Sequence, residues 1–110
     1  MNLVDVKNVF EPILPDAVFH FEAFNKPNQY IIWAEDGQAG ASFADDTMQE
    51  QVIEGTVDLY TKIDFDPLFD AIQRAMNKSG MSWYLNSTQY EEKTKYIHYE
   101  WVWQVGDDLG

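Results

Sequence analysis

The feature that most limits the fold is an alternation of apolar and polar residues near the end of the chain. Between residues 96 and 105, one side carries Ile97, Tyr99, Trp101, Trp103 and Val105, and the other carries Tyr96, His98, Glu100 and Gln104. Successive side chains of a β-strand point to opposite faces of a sheet. The pattern therefore predicts a strand with one buried face, in a sheet that a second layer must cover.

A second alternating stretch, residues 51–62, predicts another long strand. Its apolar side carries Ile53, Val57, Leu59 and Thr61. Gly55 falls on the same side, which predicts a bulge or a close contact there. Shorter strands are predicted at residues 17–23, 29–34 and 81–90.

Two helices are predicted between these strands. Residues 3–10 place apolar side chains at helical spacing, and Pro12 follows them. The second helix is expected to begin at Asp66-Pro67, a capping carboxylate followed by a proline, and to end at Gly80. We therefore expect a single α+β domain over residues 1–110, with two helices packed on one face of a mainly antiparallel sheet of four to five strands.

Two stretches lack a readable pattern. Residues 35–50 are acidic and polar, and we expect an acidic loop there whose later part, from Ala41 to Glu50, is a mobile insertion. Residues 106–110 are expected to be a frayed tail.

Composition excludes several classes of protein. The aromatic fraction of 15% indicates a true core, so the chain is not disordered. There is no cysteine, which excludes disulfides, zinc–thiolate and iron–sulfur sites and a thiol nucleophile. No apolar stretch approaches the roughly 18–20 residues of a membrane-spanning helix, and we expect no secretory signal.

The net charge of −12 is concentrated in the middle of the chain. Between Glu35 and Asp70 there are ten acidic residues and one basic residue, Lys62. Such a surface repels phosphates, so sequence-specific binding of nucleic acid is not expected. The charge fits simple solubility, a surface past which DNA slides, or a mimic of DNA.

No catalytic motif is present. The sequence lacks a G-x-S-x-G nucleophile motif, a phosphate-binding loop, a dinucleotide fingerprint and H-E-x-x-H. His20 and His98 would share a metal only if their strands were neighbours. We therefore predict that the chain is not an enzyme and that it has no catalytic, cofactor-binding or metal-binding residues.

The tyrosines of the predicted strands lie opposite the apolar sides. Tyr60, Tyr84, Tyr90 and Tyr96 fall on these faces, beside acidic residues. Exposed tyrosines are common in protein interfaces. The face turned away from the helices is therefore a candidate contact with a partner subunit.

A series of local motifs resembles one family. It comprises Val57-Asp58-Leu59-Tyr60-Thr61-Lys62, then Asp64-Phe65-Asp66-Pro67 before a helix, Trp83-Tyr84-Leu85, Tyr90-Glu91-Glu92, and His98-Tyr99-Glu100-Trp101. The series is similar to the tail-terminator, or tail-completion, proteins that join head and tail in long-tailed phages and in prophages of Gram-positive bacteria. The likeness covers roughly residues 9–105.

The resemblance implies an assembly role with no catalytic residues and no cofactors. Such proteins form a ring, usually hexameric, that caps the tail-tube protein and meets the head-completion or connector protein. The resemblance thus implies a place at the head-proximal end of the virion tail, after assembly in the bacterial cytoplasm. The residues expected at the lumen or between subunits are Glu35, Asp36, Phe43, Asp45, Asp46, Met48, Tyr60 and Tyr84.

Other functions stay open on the sequence alone. An acidic DNA mimic that inhibits a defence nuclease predicts carboxylates in a row, with Asp58, Asp64, Asp66 and Asp70 as the residues to locate. A small enzyme or ligand-binding domain predicts a deep pocket with converging polar groups. Another head-completion protein or adaptor is the remaining alternative.

Overall fold

The computed structural model describes residues 1–109 and contains one five-stranded sheet with two α-helices. The elements in chain order are α1 (Leu3–Phe10), β1 (Val18–His20), β2 (Gln29–Ala44), β3 (Thr47–Thr61), α2 (Leu68–Ser79), β4 (Ser82–Tyr90) and β5 (Ile97–Asp108). The strand order is β1-β2-β3-β5-β4. β1 runs parallel to β2, and the other neighbouring strands are antiparallel. The predicted α+β class is confirmed.

Both helices contribute to a core on one face of the sheet. The buried residues of this core include Val6 and Phe10 of α1, Ile72 and Met76 of α2, Ile31 and Trp33 of β2, Val57 and Leu59 of β3, and Trp101 and Trp103 of β5. The strand residues all occupy odd positions, as the alternation predicts. Each large apolar side chain buried in this way contributes about 1.5–3 kcal/mol. The opposite face of the sheet, called here the open face, carries the even-numbered residues of the same strand segments, among them Tyr60, His98 and Glu100.

Asp66 and Gly80 lie at the ends of α2 as predicted, but the helix begins one residue later than expected, with Pro67 as its N-cap. The Oδ1 atom of Asp66 accepts a hydrogen bond from the Leu68 N–H at 2.9 Å, so this carboxylate satisfies a free amide of the first turn. The helix begins at Leu68, after Pro67. Gly80 ends it with a left-handed backbone, φ 85°, which glycine adopts without a steric penalty.

The predicted acidic loop at residues 35–50 is wrong, because this stretch is a β-hairpin. β2 continues to Ala44 and β3 begins at Thr47, with only Asp45 and Asp46 between them. Three register irregularities interrupt the pairing, after Glu35, Gln38 and Ser42. Most of the stretch is exposed on both faces. Burial therefore imposes no apolar alternation, and the sequence signal for a strand is lost.

The predicted frayed tail at residues 106–110 is also wrong where the structure describes it. β5 continues to Asp108, which pairs with Glu50 of β3. The Leu109 N–H then donates to the Gln49 carbonyl at 2.8 Å. The extended β3 strand supplies the backbone partners that hold this end. Gly110 lies outside the described residues.

Beyond the core, β2, β3 and β5 continue as a three-stranded projection. β1 pairs with β2 only as far as Trp33, and β4 pairs with β5 only as far as Gln104. The stretches beyond them, residues 35–54 and 105–109, are called here the acidic arm. The molecule measures 54 × 25 × 23 Å, with a radius of gyration of 15.2 Å, against about 13 Å for a compact domain of this length.

Among residues 1–109, neither helix has the length and apolar character needed to cross a membrane.

Candidate functional site

The acidic arm carries most of the excess charge of the molecule. Its acidic residues are Glu35, Asp36, Asp45, Asp46, Glu50, Glu54, Asp107 and Asp108, and its sequence contains no lysine, arginine or histidine. These eight carboxylates compare with a net charge of −12 for the whole chain. The arm is therefore a strongly negative projection on a less charged body.

The tip of the arm is a two-residue turn. Asp45 and Asp46 both have positive φ angles, 53° and 64°. Two successive left-handed residues match the type I′ turn, whose twist suits a β-hairpin. Phe43 pairs with Met48 next to this turn, and Phe43 is 64% exposed. The tip thus places an exposed aromatic side chain, of a type enriched in protein interfaces, beside two carboxylates.

At its base, the arm is fixed by a histidine of β1. His20 Nε2 lies 2.6 Å from Glu35 Oε1, and the His20 ring stacks on Trp33 with a centroid distance of 4.1 Å. Burial is the largest single influence on Glu35 and raises its pKa. The hydrogen bond from His20, a backbone hydrogen bond and the charge of His20 together outweigh burial, so the net pKa is lowered from 4.5. Glu35 is thus engaged within the fold, whereas Asp36 is exposed.

An aromatic cluster covers one end of the open face. The Tyr60 ring stacks on both Tyr30 and His98, with centroid distances of 4.8 and 4.2 Å. The Tyr96 ring meets Tyr30 edge-on, and its hydroxyl lies 2.7 Å from the Pro27 carbonyl. Burial, followed by the charge of Asp58 and the effects of Tyr30 and Glu100, raises the pKa of Tyr60 to about 12. The cluster is therefore a packed, largely preformed surface.

A pocket of about 470 Å³ opens beside this cluster. Its wall includes Tyr30, Tyr60, Tyr96 and His98, and Lys26 and Glu91 lie at its sides. The volume falls within the range of small-molecule pockets, about 300–1,000 Å³.

A histidine and two carboxylates lie next to the aromatic cluster. Asp58 of β3 and Glu100 of β5 are direct cross-strand partners. His98 Nε2 is 2.7 Å from Asp58 Oδ1. One ligand atom from each of the three residues lies within 4.8 Å of the others. Among the described residues, this is a group able to hold a metal ion.

The outer edge of the sheet is formed by β4. No strand of residues 1–109 pairs with its far side, so its free N–H and C=O groups can pair with another chain. Tyr84 lies on the open face of this strand, opposite Val102, and is 54% exposed. Leu85 is exposed beside it.

The structure divides the eight predicted assembly residues among three places. Phe43, Asp45, Asp46 and Met48 meet at the tip of the arm, and Glu35 and Asp36 lie at its base. Tyr60 and Tyr84 lie on the open face, away from the tip.

Sequence reasoning missed the group formed by Asp58, His98 and Glu100. All three occupy even positions of two long alternating strands, and the alternation already placed His98 and Glu100 on one side. Their proximity depends on the register between β3 and β5, which no sequence pattern specified. His20 and His98 could share a metal only if their strands were neighbours. They are not, because β2 and β3 separate β1, which carries His20, from β5, which carries His98.

Comparisons with known proteins do not assign this chain to a family. No protein-family model matches the sequence, and no curated protein matches it. A solved structure with no stated function aligns with 100% of this chain and 96% of its own, at 11% identity and a TM-score of 0.49. A likeness this distant carries no argument about function.

Proposed function

We propose that this chain is a structural phage protein that caps the tail tube as a ring and joins the tail to the head connector. The proposal starts from the motif resemblance over residues 9–105. The observation that carries it is the acidic arm, an exposed three-stranded projection with eight carboxylates and no basic side chain. In a ring, the arms of successive subunits would stand around the axis.

The charge of the arm suits a surface that DNA passes without binding. Phosphates approaching the arm meet only like charge, and the field of eight carboxylates extends over about a Debye length. A basic lumen would hold DNA through the release of counterions. Asp36, Asp45 and Asp46 are exposed, which supports this role.

The free strand edges suit head-to-tail association. β4 ends one side of the sheet, and the part of β2 within the arm lies beyond the reach of β1 on the other side. Unpaired strand edges are templates for pairing with another chain. A contact between two different edges is heterologous, and repeated contacts of this kind close a ring when the rotation per subunit allows it.

The DNA-mimic alternative receives less support from the carboxylates named for it. Asp66 is only 4% exposed, and its Oδ2 accepts hydrogen bonds from Thr61 and Gln29. Asp58 is also buried. These two cannot belong to an exposed row of phosphate-like charges. Another head-completion or adaptor role would use the same arm and the same strand edges.

The proposed capping role is tested by imaging the ends of tail tubes. Tail tubes purified from the phage or prophage that encodes this chain are mixed with the protein and examined by negative-stain microscopy. We expect a ring at one end of each tube. A variant in which Asn-Gly replaces residues 42–50 joins Ala41 to Gln51, which are cross-strand partners, and removes the tip.

The tip-trimmed variant is expected to fold but to cap fewer tubes. Its folding is checked by tryptophan fluorescence, since Trp33, Trp101 and Trp103 lie in the core. Tube ends that look the same with and without the full-length protein would overturn the proposal. If both proteins cap tubes equally, the arm tip does not take part in the contact with the tube.

A further inference from the structure

The open face brings two carboxylates together without a lysine or arginine to balance them. Asp58 and Glu100 lie directly opposite each other on β3 and β5, and like charges in such a position destabilise a sheet. Asp58 is 9% exposed, so water solvates it poorly. Within residues 1–109, the ion pairs include no lysine or arginine bonded to either carboxylate. Among the described residues, His98 is therefore the one ion-pair partner of these two carboxylates.

His98 adds a nitrogen ligand to the two carboxylates. It lies two positions before Glu100 on the same face of β5, and its Nε2 is 2.7 Å from Asp58 Oδ1. The three ligand atoms lie within 4.8 Å of one another. An imidazole beside two carboxylates is a ligand set that binds first-row transition metals.

Two neighbours hold these ligands in place. The register shift of β4 between Leu85 and Ser87 leaves Asn86 as the extra residue of a bulge, and Asn86 Nδ2 donates to Glu100 Oε1 at 2.7 Å. The Tyr60 ring lies against the imidazole of His98 at an angle of 14°. Outer contacts of this kind orient metal ligands and are part of a working site.

We propose that Asp58, His98 and Glu100 bind one Zn²⁺ ion. Zinc accepts nitrogen and carboxylate oxygen at about 2.0–2.2 Å, and three protein ligands leave a fourth tetrahedral position for water. Tetrahedral ligands at that radius are about 3.4 Å apart. To reach this geometry, the 2.7 Å between His98 Nε2 and Asp58 Oδ1 must widen by about 0.7 Å, and any separation near the 4.8 Å limit must shorten, which requires rotation of the side chains.

The ion would replace the His98–Asp58 hydrogen bond and neutralise the opposed carboxylates. Calcium and magnesium are poorer candidates because they prefer sites made of oxygen ligands alone. The site is separate from the proposed ring function, since neither the arm nor the β4 edge contributes a ligand atom to it. An absence of zinc binding would therefore not by itself count against tube capping.

The experiment is a calorimetric titration of the full-length protein with Zn²⁺ in a background of excess Mg²⁺. The background occupies weak oxygen sites on the acidic arm. We expect one zinc ion per chain. His98→Gln and Glu100→Gln should each weaken binding by at least 100-fold, and Asn86→Ala, which removes only an outer contact, by about 10–100-fold.

The chain supplies a matched control in its other histidine–carboxylate pair. His20 and Glu35 also form a close pair, at 2.6 Å, but do not belong to the three-residue group. His20→Gln should bind zinc as the unmodified protein does. In nuclear magnetic resonance spectra, the ring nitrogens of His98 should shift on addition of zinc, and those of His20 should not.

Three results would overturn the proposal. The first is an absence of zinc binding, or several weak equivalents that Mg²⁺ displaces. The second is unchanged binding in both His98→Gln and Glu100→Gln. The third is an equal loss in His20→Gln. Thermal unfolding of each variant without metal separates loss of a ligand from loss of the fold. If a ligand substitution unfolds the protein, Asn86→Ala still tests the site.

Discussion

At the scale of single residues, Gly55 decides how closely the central strands approach. A Cβ atom at this position would lie 2.2 Å from the Ala34 carbonyl oxygen and 2.3 Å from Cζ2 of Trp103. Trp103 is fully buried, so its ring can fill the space beside β3 only because residue 55 has no side chain. The expected close contact at Gly55 is thereby explained.

Gly55→Ala should therefore destabilise the fold. We expect a loss of about 1–3 kcal/mol in the free energy of unfolding, since overpacking a core forces neighbours to move. Urea denaturation followed by tryptophan fluorescence measures it. Gly37→Ala is the matched control, because a Cβ there meets nothing within 4 Å, and its effect should stay within about 0.5 kcal/mol. Equal effects at both positions would contradict this account.

The hydroxyl of Tyr60 links stability to alkaline pH. Its pKa is raised to about 12 from 10.0, first by burial and then by the charge of Asp58. Above pH 10, the folded state therefore keeps a proton that the unfolded state has lost, and stability falls as pH rises from about 10 to about 12. In Tyr60→Phe, the loss of stability over this range should be smaller. Urea denaturation at several pH values checks this, and an unchanged slope would contradict it.

At the scale of elements, the predictable parts of the chain are those that bury one face. The bounds predicted for α1, residues 3–10, are those observed, and α2 follows its capping residues. The arm was missed because no layer covers it, so its sequence carries no alternation. The group at Asp58 and Glu100 was missed for a different reason. It depends on strand register, which is set by the joint packing of β3 and β5.

The turn of the arm is a place where the sequence is not optimal for its structure. Asp45 and Asp46 both adopt left-handed backbone angles, which Asn-Gly adopts more readily in this type of turn. Asp45→Asn combined with Asp46→Gly should therefore stabilise the hairpin by about 0.5–1 kcal/mol. Amide hydrogen exchange in the arm should slow accordingly.

The control for the turn variant removes the same charge elsewhere on the arm. Asp36→Asn combined with Glu50→Gln also deletes two carboxylates but leaves the turn unchanged. If both double variants slow exchange equally, charge repulsion and not backbone geometry limits the stability of the arm.

At the scale of the whole molecule, shape and charge act together. The long axis of 54 Å is about twice the other two, and the arm that lengthens it holds eight of the 19 acidic residues. Self-association through the sheet edges would bring the arms of neighbouring copies close together. In the proposed ring, contacts between sheet edges would therefore be opposed by repulsion between arms.

This opposition predicts that added salt promotes self-association. The Debye length falls from about 30 Å at 0.01 M salt to about 8 Å at 0.15 M, so repulsion between arms is screened while apolar and backbone contacts persist. The assembled fraction, measured by sedimentation at fixed protein concentration, should rise over this range. In the variant Asp36→Asn, Asp45→Asn, Asp46→Asn, it should be higher at low salt and should depend less on salt. Association that weakens with salt would instead indicate that opposite charges hold the copies together, and the arms would then lie against a basic surface and not against one another.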